Sequence, residues 1–309
     1  MTAVPTVRRT SSLCLGLAAI ACCASSGVGL AQPAPSRALA TQVALTRAGF
    51  SVGAIDGQAG PKTRKAQQAA GDRLAPDVEP LQDYRITADD AAGPFEPNLP
   101  DDLMKQGELP GVPYGDIVEM LAERFRAAPT LLRRLNPGKA FVEGETIRVP
   151  NVEPMGEPAL SHLREVAEPE ADKTAAVRVS KSGRDLRVVD TEGRVIFYAP
   201  VSSGSEHDPL PLGEWKVTNV YLRPIFNYNP DLFWDADPDH AKTRIQGGPN
   251  SPVGLVWIDL DKEHYGLHGT PVPETIGVTQ SHGCVRLTNW DGLHLATLVK
   301  PGTPVMFEP

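Results

Sequence analysis

Cys284 has His268 sixteen residues before it, His282 two before it and Arg286 two after it, and these side-chain types at this spacing suit covalent catalysis. A cysteine becomes a good nucleophile near neutral pH when an imidazole or a cation favours its thiolate. Thiol and imidazole together are the equipment of acyl transfer through a thioester, and either histidine can supply the base. If residues 283–287 are extended, side chains alternate, so His282, Cys284 and Arg286 share one face while Gly283, Val285 and Leu287 anchor the other. On that face Arg286 favours the thiolate by charge or holds a substrate carboxylate by a two-pronged hydrogen bond. Its plainer fate is a salt bridge to Asp291 or Asp259.

The other cysteines, Cys14, Cys22 and Cys23, fall in a segment that reads as a secretory signal over residues 1–31. Arg8 and Arg9 open it, Leu13 to Cys23 is apolar, and Gly29-Leu30-Ala31 offers a small-residue cleavage site before Gln32. The apolar run is too short to span a bilayer. Ordinary cleavage is favoured over a lipoprotein route, for which Ala19-Ile20-Ala21-Cys22 is a weak fit, and over a twin-arginine route. The expected location is the periplasm. Cleavage would leave Cys284 as the single thiol, with no partner for an intramolecular disulfide. It would also move the net charge from −8 to −10, because two arginines and no acids depart. Such acidity, without a basic block, argues against a nucleic-acid partner.

Positioning these groups falls to the rest of the chain, where 30 prolines and 28 glycines favour short strands and turns over long helices. Residues 36–75 begin with a helical pattern carrying Val43, Leu45 and Ala48, then a turn from Gly49-Phe50 to Asp56-Gly57, then a second helix opened by Pro61 and Thr63. The Gly-aromatic pair, the Asp-Gly turn and the following Gly60-Pro61-Lys62-Thr63 resemble a small three-helix peptidoglycan-binding domain. Residues 84–152 hold a first strand at Tyr84-Arg85-Ile86 and an insertion rich in Pro, Asp and Gly. A helix at Ile117 to Phe125, a second at Leu131 to Asn136-Pro137, and a strand at Gly144 to Pro150 follow. That order is similar to a LysM module. In both units a packing role stands beside glycan binding.

Residues 153–174 are charged and proline-bearing, and read as a linker with a short helix around Leu160 to Val166. The domain over 175–309 reads as β-rich. Strands are expected at Ala176 to Ser180, Asp185 to Asp190, Arg194 to Val201, Glu214 to Val220, Gly254 to Leu260 and Thr303 to Phe307. One main helix, Asn289 to Val299, is capped by Thr288 with Asp291 three residues on. Strands so spaced with one helix predict a sandwich or barrel. Phe226 to Trp234, with Tyr228 and Phe233, forms either a lid or part of the core.

His268-Gly269-Thr270 followed by Ser281-His282-Gly283-Cys284-Val285-Arg286-Leu287 resembles the signature of the bacterial L,D-transpeptidases, with their YkuD-type catalytic domain. Asp208 to Gly213 and Gly248 to Gly254 extend the likeness over about 130 residues. The resemblance implies Cys284 as nucleophile, His268 as its base, the Gly269 carbonyl orienting the imidazole, and the amides of Gly283 and Cys284 as oxyanion donors, with His282 in support. Ser281 and Arg286 are the expected substrate-binding residues. It further implies attack on a peptidoglycan tetrapeptide stem, release of D-alanine, and transfer of the acyl group to an amine of another stem or of a wall-anchored protein. No cofactor is implied, and carbapenems are expected inhibitors. A carboxypeptidase of the same fold and a non-catalytic wall-binding protein are the alternatives. A zinc hydrolase using His264, His268, His282 and Cys284 is the rival chemistry, disfavoured by the glycines and strand signals around them.

Overall fold

The computed structural model describes residues 35–74, 79–155 and 171–309. The signal-like segment 1–31 and the helix expected around Leu160 to Val166 lie outside the described residues. Helix α1 (Arg37–Arg47) is capped by the Ser36 hydroxyl, which accepts from the Leu39 amide, and α2 (Pro61–Ala70) starts on a proline whose missing N–H costs nothing there. Buried Gln42 of α1 holds the turn between them, donating to Asp56 and Thr63 and accepting from the Gly57 amide. Where a three-helix unit was expected, two helices stand before the next strand among the described residues.

Strand β1 (Leu81–Arg85) pairs antiparallel with β2 (Thr146–Pro150). Between them come α3 (Ala88–Ala92) and α4 (Leu103–Gly107), both in the insertion, then α5 (Ile117–Arg124) and α6 (Pro129–Leu135). Leu121, Phe125, Leu131 and Leu132 from the two later helices and Ile147 and Val149 from β2 bury together with Leu39, Val43 and Leu45 of α1.

Beyond the linker lie β3 (Thr174–Ser180), β4 (Asp185–Asp190), β5 (Val195–Pro200), β6 (Ser202–Ser203), β7 (Gly213–Leu222), β8 (Phe226–Tyr228) and β9 (Thr243–Ile245). Then follow β10 (Val256–Leu260), β11 (Gly266–His268), β12 (Val285–Arg286), α7 (Asn289–Leu298) and β13 (Pro304–Glu308). Nine strands run in the order β5-β4-β3-β13-β7-β10-β11-β12-β6, and β8 with β9 forms a separate hairpin. Only β3 with β13 and β11 with β12 are parallel pairs in that sheet. Strand β7 serves both halves, pairing with β13 through Gly213 to Lys216 and with β10 from Val217 onward, so one long strand turns the corner. The domain is mainly β with one main helix, as its strand spacing predicts.

Helix α7 is buried nearly all round, with no polar stripe facing water. Its Leu293 and Leu295 join the core between the sheet strands, while Trp290 joins the core of α1, α5 and α6. Tyr198 of β5 also faces that N-terminal core, and the backbone at Gly49 and Ser51 bonds to it on both sides. Residues 35–309 therefore share one compact unit, and their core runs across the boundaries suggested by composition. A chain shortened to 171–309 would expose Trp290 and Tyr198, each 1% exposed in the whole protein. Losing about 1.5–3 kcal/mol of burial for each large side chain is a sizeable part of a domain's stability. We expect the shortened chain to lose its cooperative thermal transition by circular dichroism; a melt matching the full chain would contradict the shared core.

Candidate active site

Strands β11 and β12 are short, yet they settle the geometry of the site. They run parallel with Leu267 opposite Val285 and His268 opposite Arg286. Val285 and Leu267 point into the core, and the other face carries His268 and Arg286 side by side. Cys284 enters beside Gly266, whose backbone bonds to the thiol, and Sγ also lies 3.6 Å from the His264 carbonyl oxygen. The extended stretch expected over 283–287 is shorter than that. Gly283 has φ +97°, which bends the chain at 282–284 and leaves only Val285–Arg286 as strand. A Cβ on Gly283 would stand 2.7 Å from Tyr265 Cε1, so glycine is required there on both counts.

The His268 ring is buried and stacks on Trp257, its cross-strand neighbour, at 5.4 Å between centroids. Nδ1 lies 2.7 Å from the Gly269 carbonyl oxygen. A carbonyl only accepts, so Nδ1 carries the proton and Nε2 keeps its lone pair. Burial pushes the imidazole down to about 4, helped by the nearby Arg286 cation and opposed by the Gly269 hydrogen bond. Burial pushes the Cys284 thiol up to about 11, with the Gly266 backbone and Arg286 pulling the other way. The thiol still reaches solvent on one side. Both groups are accordingly neutral across the physiological range, an arrangement for general-base activation instead of a standing ion pair.

Arg286 makes neither of the salt bridges foreseen for it. Its Nη2 donates to Thr279 Oγ1 at 3.1 Å and to the Gln280 carbonyl, while Asp291 accepts from Ser51 and Asp259 from Trp257 and Thr218. Its Nε is buried without a hydrogen-bond partner. Ser281, expected to bind substrate, has a buried hydroxyl that donates to the Cys284 carbonyl at 2.6 Å and accepts from the Gly204 amide at 2.8 Å, so it staples the Cys284 loop. His282 is exposed and points away toward Asp235, with Nε2 2.7 Å from Oδ1 and the ring edge-on to Phe233. His264 is also exposed, beside Glu263. Among the described residues no group of three or more His, Cys, Asp or Glu side chains is placed to hold a metal ion.

Several contributors were not evident in the sequence. Trp257 was read only as part of an apolar strand, and Tyr265 was not singled out; their contacts arise from strand pairing across distant segments. Asn289 was read only as the helix start, but its Oδ1 accepts from the Leu255 amide at 3.0 Å. The aromatic stretch after β8 divides its roles: Tyr228 is buried, Trp234 is 59% exposed and stacks on His207, and Asp235 reaches His282.

Residues 174–306 match the model of the YkuD family, the L,D-transpeptidase catalytic domain. The YkuD protein of Bacillus licheniformis is 29% identical over 198 residues, covering 63% of this chain and 95% of that protein. The YqjB protein of Bacillus subtilis is 31% identical over 136 residues, covering 42% of this chain and 69% of its own length. Both bear the name L,D-transpeptidase. A solved L,D-transpeptidase from Mycobacterium smegmatis aligns at 18% identity with a TM-score of 0.36, over 43% of this chain and 58% of that one. With His268 and Arg286 paired on adjoining parallel strands, Gly269 and Cys284 flanking those strands, and relatives matched over most of their length, this chain belongs to the L,D-transpeptidase family.

Proposed function

We propose that the chain is an exported, cysteine-dependent acyltransferase that acts on peptidoglycan stem peptides. The observation that carries the reading is the hydrogen bond from His268 Nδ1 to the Gly269 carbonyl, which keeps Nε2 free as a base on the strand beside Cys284. His268 Nε2 takes the thiol proton as Sγ bonds to the carbonyl carbon of the third stem residue. The amides of Gly283 and Cys284 receive the developing oxyanion, and glycine at 283 lets them approach it closely. The C–N bond to D-alanine then breaks, the imidazolium returns its proton to the departing amine, and a Cys284 thioester remains. An acceptor amine attacks that thioester, gives a proton to His268, and Sγ leaves and takes it back. The acceptor is an amine of another stem, giving a 3→3 crosslink, or of a protein to be anchored. Arg286, next to His268 in the strand register and two residues from Cys284, is the cation we assign to a substrate carboxylate.

Incubation with a purified disaccharide-tetrapeptide should yield, by mass spectrometry, a dimer lacking one D-alanine. Tripeptide alone would mean hydrolysis on the same fold, and unchanged substrate would refute the reading. Cys284→Ala should abolish product while keeping the native melting curve. A carbapenem should add its whole mass to the peptide bearing Cys284, because opening a lactam ring releases no leaving group; no adduct would count against a thiol nucleophile.

The neutral pair makes a second demand. Alkylation by iodoacetamide requires thiolate, so its rate at Cys284 should climb about tenfold per pH unit above neutrality, without a plateau below about pH 10. A flat rate from pH 5 to 9 would mean a standing thiolate–imidazolium pair and would overturn the general-base step.

A further inference from the structure

Glu123 lies on α5, in the N-terminal part of the chain, yet its carboxyl group is buried against the helix that follows Cys284. Asn289 Nδ2 donates to both of its oxygens, at 3.0 and 3.1 Å, and the Tyr114 hydroxyl donates to Oε2 at 3.1 Å. Asn289 also donates to the Pro249 carbonyl and accepts from the Leu255 amide, so every polar edge of its carboxamide is committed. That carboxamide sits directly behind the His268-Gly269 peptide. A Cβ on Gly269 would stand 2.2 Å from Asn289 Oδ1, and one on Gly254 would stand 2.1 Å away. On its other side the Gly269 amide donates to the Val256 carbonyl at 3.1 Å. Gly269, whose carbonyl fixes the imidazole, is thus held between β10, through its amide, and Asn289, against its Cα.

An amide has a donor end and an acceptor end of nearly equal shape, and its neighbours decide which way it faces. Glu123 supplies acceptors to the nitrogen end of Asn289. Removing them would leave a buried donor underused, weakening the preference that keeps Oδ1 on the Leu255 amide and against Gly269. We infer that Glu123 is a positioning residue for His268, acting through Asn289 on the Gly269 carbonyl, and that the N-terminal part of the chain thereby helps to set the tautomer of the catalytic base. This rests on the reading of His268 as that base. Two further ties from the same part of the chain reach the neighbourhood: Ser51 Oγ donates to Asp291 at 2.8 Å, and Lys62 Nζ donates to the Ile276 carbonyl at 3.2 Å. A wall-binding accessory would need no such connections.

The test is the long-range proton–nitrogen spectrum of the His268 ring in the full chain with labelled histidine, at a pH where the ring is neutral, assigned by comparison with His268→Ala. The native protein should show the Nδ1–H form. Glu123→Leu, which removes the acceptors, should show a mixture of tautomers with a roughly tenfold lower kcat and KM within about twofold, because misorientation of a base costs turnover more than binding. Glu123→Gln keeps an acceptor and should restore the native spectrum and rate. A pure Nδ1–H spectrum and native kcat in Glu123→Leu, or loss of both in Glu123→Gln, would overturn the inference. A native protein in the Nε2–H form would instead sink the assignment of His268 as base, so the two failures are distinct. Should Glu123→Leu melt without cooperativity, Glu123→Met, of like length and unbranched, takes its place under the same criteria.

Discussion

The parallel pairing of β11 with β12 is the constraint on which the rest depends. A tight hairpin cannot join parallel strands, so the chain must leave one and return beside it through a crossover. Here residues 269–284 make that crossing with a single 3-10 turn at Pro273–Thr275 as their regular structure. Turn bonds within 272–279 shape this loop, and neighbours tie it down: Ser202 Oγ accepts from the Gly277 amide, Ser281 is bonded to Gly204, and Lys62 reaches the Ile276 carbonyl. His268 is at one end of this crossing and Cys284 at the other. Each brace therefore acts on the distance between them.

The same dependence explains why α7 has a buried surface all round. It must back β10 and β11 on one side and receive the N-terminal helices on the other. Burial behind the site brings Asp291 and Glu123 into a poorly hydrated space, which raises their carboxyl groups to about 6 and about 8 despite the hydrogen bonds each accepts. Folding raises both above their ordinary values, so what they contribute to stability is full in acid and fades as pH climbs through those folded values. His268, lowered by folding, acts in the opposite sense, its contribution fading as pH falls from about 6.5 toward 4.

How much of this was legible in the sequence follows from the length of the signal each element leaves. Strand β4 has the expected bounds, and β3, β5, β10 and α7 lie within two residues of theirs, because five to ten residues of alternation or a capped helix leave a pattern. Strands of two or three residues leave little, so β6, β8, β9 and β11 went unseen, and β12 was read only as part of a longer extended stretch over 283–287. Cys284, His268 and Gly269 were visible through local motif and residue chemistry. Ser281 and His282 lie in the same motif but are engaged by Gly204 and Asp235, partners tens of residues away that no local pattern reveals. The N-terminal units had helical and turn patterns that located their elements, but nothing in those patterns indicated that Trp290 and Glu123 would bind them to α7.

The burial that favours the S–H form of Cys284 has a chemical consequence of its own. Hydroperoxides and disulfides react with thiolates, and a sulfur held as S–H reacts with them slowly. Burial favours that form at Cys284, and a neutral His268 supplies no imidazolium to oppose it. Such a sulfur is a slower nucleophile at rest and is also less open to oxidation.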